Sequence, residues 1–216
     1  HPAIALGVEK KHGNVMNRPP RPVHEGLPSL SDIALIFYLG IVMVTGTLII
    51  FFLAGGGIET CEGLPLTEDD LSQYFDRDAC IAGDAVAIDN WNSYSEDRFV
   101  YAQTMTFGVF VVFQLFNVIN CRSSEDSIFK LGIFSNKAIN YAVLISLTLL
   151  WLIINYSSET IPILDIKVGS LLSTIELELK DWLTIFAVAS SVFIIEEFRK
   201  FIVYSRYFAI GKNYRN

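Results

Sequence analysis

The apolar residues of this chain come in uninterrupted blocks, and block length constrains the fold more than any other feature. Residues 33–54 are 22 positions without a charge. As a helix rising ~1.5 Å per residue they reach about 33 Å, enough for a hydrocarbon core of roughly 30 Å. A second uncharged block covers 99–120 and a third 138–156. The fourth, from Trp182 to Ile195, is 14 residues long before Glu196 and Glu197. Alone it fits a buried soluble helix equally well; it spans only if residues 198–203 continue it and the glutamates face protein or the interface. Lipid offers the backbone no hydrogen-bond partner, so the blocks are expected as helices rather than open strands.

The expected fold is therefore an all-α membrane protein with four transmembrane helices at 33–54, 99–120, 138–156 and 182–203. Segments 1–32, 55–98, 121–137, 157–181 and 204–216 lie outside the bilayer in this reading. Composition agrees: 52% of the residues are hydrophobic and 18% charged, against about 25% charged in soluble domains. A net charge of −7 argues against a nucleic-acid partner, which would need a basic face. No secretory signal is expected, because Lys10, Lys11, Arg18 and Arg21 precede Ile33 with no apolar core between them. His1 in place of an initiator methionine fits a processed chain or a piece of a longer one.

Four spans put both ends on one side, and the basic residues say which. Segment 1–32 holds four Lys/Arg, 121–137 holds Arg122, Lys130 and Lys137, and the tail after Ile195 holds five. The intervening 55–98 and 157–181 hold only Arg77, Arg98, Lys167 and Lys180. The positive-inside rule then expects both termini in the cytosol, in a plasma membrane or an endomembrane. Acids run the other way: the 55–98 segment carries eleven, read as a solvated exterior loop, with a cation-collecting vestibule as the alternative. Their spacing is not that of a calcium loop.

Cys61 and Cys80 share that exterior segment. Outside the cytosol a disulfide persists, and closing this loop contributes roughly 3 kcal/mol; two free thiols are the alternative. Cys121, at the cytosolic end of the second span, is expected reduced. His1, His12 and His24 are too scattered for catalysis, and no spacing suggests zinc.

Polar groups at membrane depth carry a free-energy cost unless partnered, which makes them the first place to seek function. At about 100° per residue, Gln103, Thr106, Gln114, Asn117 and Cys121 fall within an arc of about 80°, opposite Val109, Val111, Val112 and Phe116. The polar arc is expected to look inward, at protein or a hydrated path. Gln114 and Asn117 then either hydrogen-bond neighbouring helices or, for Gln114 above all, lend a neutral oxygen to a hard cation. Glu196 and Glu197 beside Arg199 and Lys200 read as an interfacial cap of paired charges, and glycines 40, 46 and 55–57 as points of close helix contact. Phosphate-binding loops, nucleophile elbows and HExxH are absent, so the segment is expected to hold no cofactor and perform no chemistry alone.

The run Pro2-Ala3-Ile4-Ala5-Leu6-Gly7, followed by Met16-Asn17-Arg18-Pro19-Pro20-Arg21, resembles the cytosolic loop after the sixth membrane helix of type II P-type ATPases. The usual form there is LPA-x-ALG and M-x-RPPR, with His1 standing at the leucine. Phe113-Gln114-Leu115-Phe116-Asn117 through Arg122 is similar to the eighth helix and its exit in plasma-membrane and secretory-pathway calcium pumps, and Ser190 to Ile202 to the tenth helix. The resemblance implies that the four spans are helices seven to ten of an ATP-driven cation pump, with calcium as the transported ion and Mg-ATP used by the parent protein. Gln114 stands where two-site pumps carry a glutamate ligand, as in single-site calcium pumps. Arg18, Pro19, Pro20 and Arg21 would couple the phosphorylation domain to the membrane, and Cys61 with Cys80 would match the family's exterior disulfide. The partners implied are the remainder of the same pump and the bilayer. A stand-alone four-span scaffold and the equivalent part of a sodium/potassium-type pump are the alternatives.

Overall fold

A computed structural model describes residues 2–8, 30–56, 77–123, 127–156, 160–161, 166–167 and 172–213. Arg18, Pro19, Pro20, Arg21 and Cys61 lie outside the described residues. Four long helices dominate: α2 (Leu30–Leu53), α4 (Ala85–Asn120), α6 (Lys137–Asn155) and α7 (Leu179–Asn213). Short pieces accompany them: α1 (Pro2–Ala5) with a 3-10 turn (Leu6–Val8), α3 (Arg77–Ile81) and α5 (Ile128–Leu131). One antiparallel ladder, β1 (Thr160–Ile161) on β2 (Ile166–Lys167), pairs Thr160 with Lys167 and Ile161 with Ile166. The sequence reading contained no strand.

Ile33–Leu53, Ala85–Asn120 and Lys137–Asn155 are long and apolar enough to cross a membrane. Their surfaces match: along α2, Ile36, Phe37, Ile41, Val44 and Leu53 are all exposed, an apolar face that lipid wets and water does not. This is an integral, multi-pass membrane protein. Helix α7 interrupts its apolar stretch with Glu196, Glu197, Arg199 and Lys200 and is not among those three. Helix α4 starts at Ala85, so residues 85–98, expected as loop, are helical. The cause is local. Gly83, at φ +88°, closes α3 with Gly83 N donating to Cys80 O and Asp84 N to Ala79 O, a glycine-terminated helix end. Asp84 then caps α4 by accepting from Val86 N at 3.0 Å.

The chain divides into two compact units, residues 1–46, 109–151 and 183–216 in the first, 47–108 and 152–182 in the second. The first packs Leu39, Met43, Val109, Val112, Phe113, Ile139 and Val192 as buried core. Gly46 makes room there: a Cβ on it would stand 2.6 Å from Phe113 Cζ, so the fully buried Phe113 ring would have to shift. Gly40, expected to serve the same purpose, has nothing within 4 Å. The second unit buries Ile50, Ala87, Trp91, Ala102, Met105, Ile154 and Leu177, with Phe51 edge-on to Phe99 at 5.9 Å. Cys80 is buried and disulfide-bonded.

Candidate functional site

The polar residues of α4 separate by what they touch. Val109, Val112, Phe113 and Leu115 are buried, so the apolar arc faces this chain's own core, and Gln103 and Gln114 are exposed. Of the polar arc, this chain leaves Gln103, Gln114 and Cys121 exposed and half-buries Thr106 and Asn117, because burying branched and aromatic side chains outweighs sheltering amides. Gln114 makes no hydrogen bond to any described residue. Thr106 is satisfied locally, its hydroxyl donating to Ala102 O at 2.7 Å. Asn117 Oδ1 is buried and accepts no hydrogen bond from any described residue.

In the first unit, one turn of α7 gathers four charges. Arg199 grips Glu196 through two bonds, Nε to Oε2 at 2.9 Å and Nη2 to Oε1 at 2.7 Å. Glu196 is 2% exposed and Lys200 1%, so neither is solvated and each depends on its partners. Lys200 Nζ donates to Asn120 O, a terminal carbonyl of α4, at 3.2 Å and lies 3.5 Å from Glu197 Oε1. Glu197 accepts from Ser127 Oγ at 2.5 Å and Ile128 N at 3.2 Å. Ser127 Oγ in turn accepts from Phe129 N, capping α5. The same turn of α7 thus supplies the missing partner for the end of α4 and for the start of α5. Asn120 Nδ2 also donates to Val192 O.

Arg122 fixes the rest of this connection, donating to Gly132 O, Ile133 O and Ser135 Oγ, and Asn136 Oδ1 caps α6 by accepting from Ala138 N and Ile139 N. The paired charges of α7 were legible as i, i+3 neighbours; their reach to Asn120, Ser127 and Ile128 was not, and Arg122 carried no signal beyond being a charge at a helix exit. Cys121 is a free, exposed thiol. Neighbouring protein still removes part of its water, and this, with the Glu196 carboxylate second, raises its pKa.

In the second unit the anchor is Asp181, 5% exposed. Its carboxylate accepts from Tyr101 OH at 2.7 Å and from Glu178 N at 2.9 Å, which closes the first turn of α7. Thr104 Oγ1 accepts from Ile175 N at 3.1 Å and donates to Val100 O. No group of three or more His, Cys, Asp or Glu is placed to hold a metal among the described residues.

Apolar helices with lipid-wetted faces, joined by charges that close their own backbone ends, define the class: a helical membrane module. Residues 1–202 match the family described as "Cation transporting ATPase, C-terminus", and the chain belongs to that family. Among similar proteins is "Calcium-transporting ATPase 1" of Schizosaccharomyces pombe, 30% identical over 199 residues, covering 92% of this chain and 17% of that protein. "Calcium-transporting ATPase 1" of Yarrowia lipolytica is 29% identical over 205 residues, 95% and 17%. "Calcium-transporting ATPase type 2C member 2" of Rattus norvegicus is 30% identical over 201 residues, 92% and 16%. The chain spans about a sixth of the length of the curated relatives it matches.

Proposed function

We propose that this chain is the C-terminal membrane module of an ATP-driven calcium pump, bracing the transport helices supplied by the rest of the protein. Its four long helices serve as helices seven to ten, α7 spanning as the last, with both termini cytosolic. Residues Arg18, Pro19, Pro20 and Arg21 serve as the coupling loop, and Cys61 is the disulfide partner of Cys80 on the exterior side. Calcium is the transported ion and Mg-ATP the fuel of the parent pump. The relatives' names and the match over residues 1–202 support this reading.

The observation that carries the ion-path role is the exposed, unbonded amide of Gln114 on a helix whose apolar side is already buried. Such an amide offers one neutral oxygen ligand to a hard cation and leaves the carboxylates to other helices. The test is calcium-dependent phosphorylation of the full-length protein. Gln114→Ala is expected to weaken apparent calcium affinity by about tenfold, in the range for loss of groups that support a metal site, and Gln114→Glu to alter it in the opposite sense. Unchanged affinity in both variants would leave Gln114 as a packing residue.

A further inference from the structure

The second unit contains a cavity of about 620 Å³ against the first half of α4, inside the ~300–1,000 Å³ range of small-molecule sites. Asn90, Ser93, Tyr94, Asp97 and Tyr101 line it from one helix face, at the three- and four-residue spacings that stack side chains along a helix. Arg98 enters beside them with its guanidinium held in place. Its carbon lies 5.6 Å from the Tyr94 ring centre and 5.8 Å from that of Tyr101. Its Nε donates to Tyr94 OH at 3.0 Å. The Tyr101 ring is itself fixed, through its hydroxyl, on buried Asp181.

What this arrangement leaves over is chemical. The terminal nitrogens of Arg98 donate no hydrogen bond to any described residue, and Asp97, Asn90 and Ser93 have no hydrogen-bond or ion-pair partner among them. A guanidinium whose side chain is already ordered, with its fork free, is a bidentate receptor for a phosphate or carboxylate. A free carboxylate one residue away is a receptor for an ammonium carrying N–H donors. Lys180, also at the cavity wall, is engaged by Glu178 at 3.1 Å and adds no unbalanced charge. The lining is thus near neutral overall and split into one cationic and one anionic pole.

We propose that this cavity binds an ammonium–phosphate zwitterion of the phosphoethanolamine type, phosphate on Arg98 and ammonium on Asp97, with Ser93 and Asn90 on the remaining oxygens. A quaternary ammonium is disfavoured. It has no N–H for Asp97 and would need an aromatic cage, whereas the two rings here already carry the Arg98 guanidinium. Two sources share this chemistry: the headgroup of a phospholipid and the free soluble compound. The cavity adjoins the start of the apolar block at Phe99, among Trp91, Tyr94 and Tyr101, the residue types that gather at a membrane–water interface. The proposal requires nothing of the pump's ion path.

The test titrates the full-length protein in detergent with dihexanoyl-phosphatidylethanolamine, dihexanoyl-phosphatidylcholine, free phosphoethanolamine and inorganic phosphate, reading bound adducts by native mass spectrometry and folding by thermal melting. The ethanolamine lipid is expected to bind at least about tenfold more tightly than the choline lipid, the effect of one charge-assisted hydrogen bond. Asp97→Asn should bring the two lipids level. Arg98→Gln, and more mildly Arg98→Lys, should weaken both without moving the melting curve by the same proportion. Tighter binding of the lipid than of free phosphoethanolamine identifies a headgroup site; equal binding identifies a soluble ligand. Equal affinity of wild type for the two lipids, or binding untouched by Arg98→Gln and Asp97→Asn, overturns the proposal.

Discussion

The two units share one use of charge and differ in another. In the first, Lys200, Glu197 and Arg122 are committed to backbone groups and hydroxyls of the same unit: Asn120 O, Ile128 N, Ser127 Oγ, Gly132 O and Ile133 O. In the second, Asp181 and Asp84 are used in that manner, while Asp97 and the fork of Arg98 end without partners among the described residues. Helix ends near lipid explain the first pattern, since an orphaned carbonyl or amide has no water to turn to. A charged residue beside an apolar block is a structural element when it reaches a helix end. Substitutions at charges that close helix ends should therefore show in stability, and substitutions at Asp97 and Arg98 in binding.

The largest effect is expected from Lys200→Met, which keeps the volume of the side chain but removes its charge. Asn120 O then loses a partner in a buried setting, and Glu197 keeps only Ser127 Oγ and Ile128 N. Breaking one side of a buried pair costs 3–5 kcal/mol; with Glu197 still held by two donors, we expect about 3 kcal/mol. Thermal melting of the full-length protein reads the global loss, and hydrogen exchange at Ile128 N should quicken first. A cost below about 1 kcal/mol would make Lys200 a bystander and erase the contrast between the units.

Tyr101→Phe is the matching change in the second unit. It deletes the hydroxyl that donates to Asp181 but leaves the ring beside Arg98 and the bond from Glu178 N. One hydrogen bond to a charged group is worth about 1.5–3 kcal/mol, and because Asp181 retains its backbone donor the lower figure applies. The same melting experiment should place this variant clearly above Lys200→Met. A reversed order would mean that the second unit depends on its charges for folding more than the first does.

How much of this was readable beforehand follows the same physics. The long helices were legible because lipid forces each apolar block to satisfy its own backbone, whatever its neighbours do. Helical residues 85–98 were hidden by their acids, which resemble loop composition; the signal was the Gly83-Asp84 pair, a helix stop followed at once by a helix cap. Gly40 and Gly46 look alike in sequence, and only the ring of Phe113 opposite Gly46 separates them. Lys200 and Asn120 stand 80 positions apart, beyond any local pattern. Periodicity separated the polar and apolar faces of α4 but says nothing about which of them this chain itself covers, and burial of Val109, Val112 and Phe113 shows that it covers the apolar one.

The smallest predicted effect probes the edge of the first unit without unfolding it. Cys121 follows directly on α4, and its thiol pKa is raised first by partial loss of water and then by Glu196, with Lys200 pulling it down. Only the thiolate reacts, so labelling with a maleimide should climb with pH around a midpoint above the ordinary thiol value of ~8.5. The linked stability has the matching sign: it is intact below the unfolded thiol's pKa and declines as pH rises beyond it, because the folded protein holds the proton longer. Glu196→Gln should bring the labelling midpoint down and Lys200→Met should carry it further up, opposite shifts from two residues on one helical turn. A midpoint that falls in Lys200→Met would place that ammonium out of electrostatic reach of Cys121, and with it the claim that the end of α4 is held by α7.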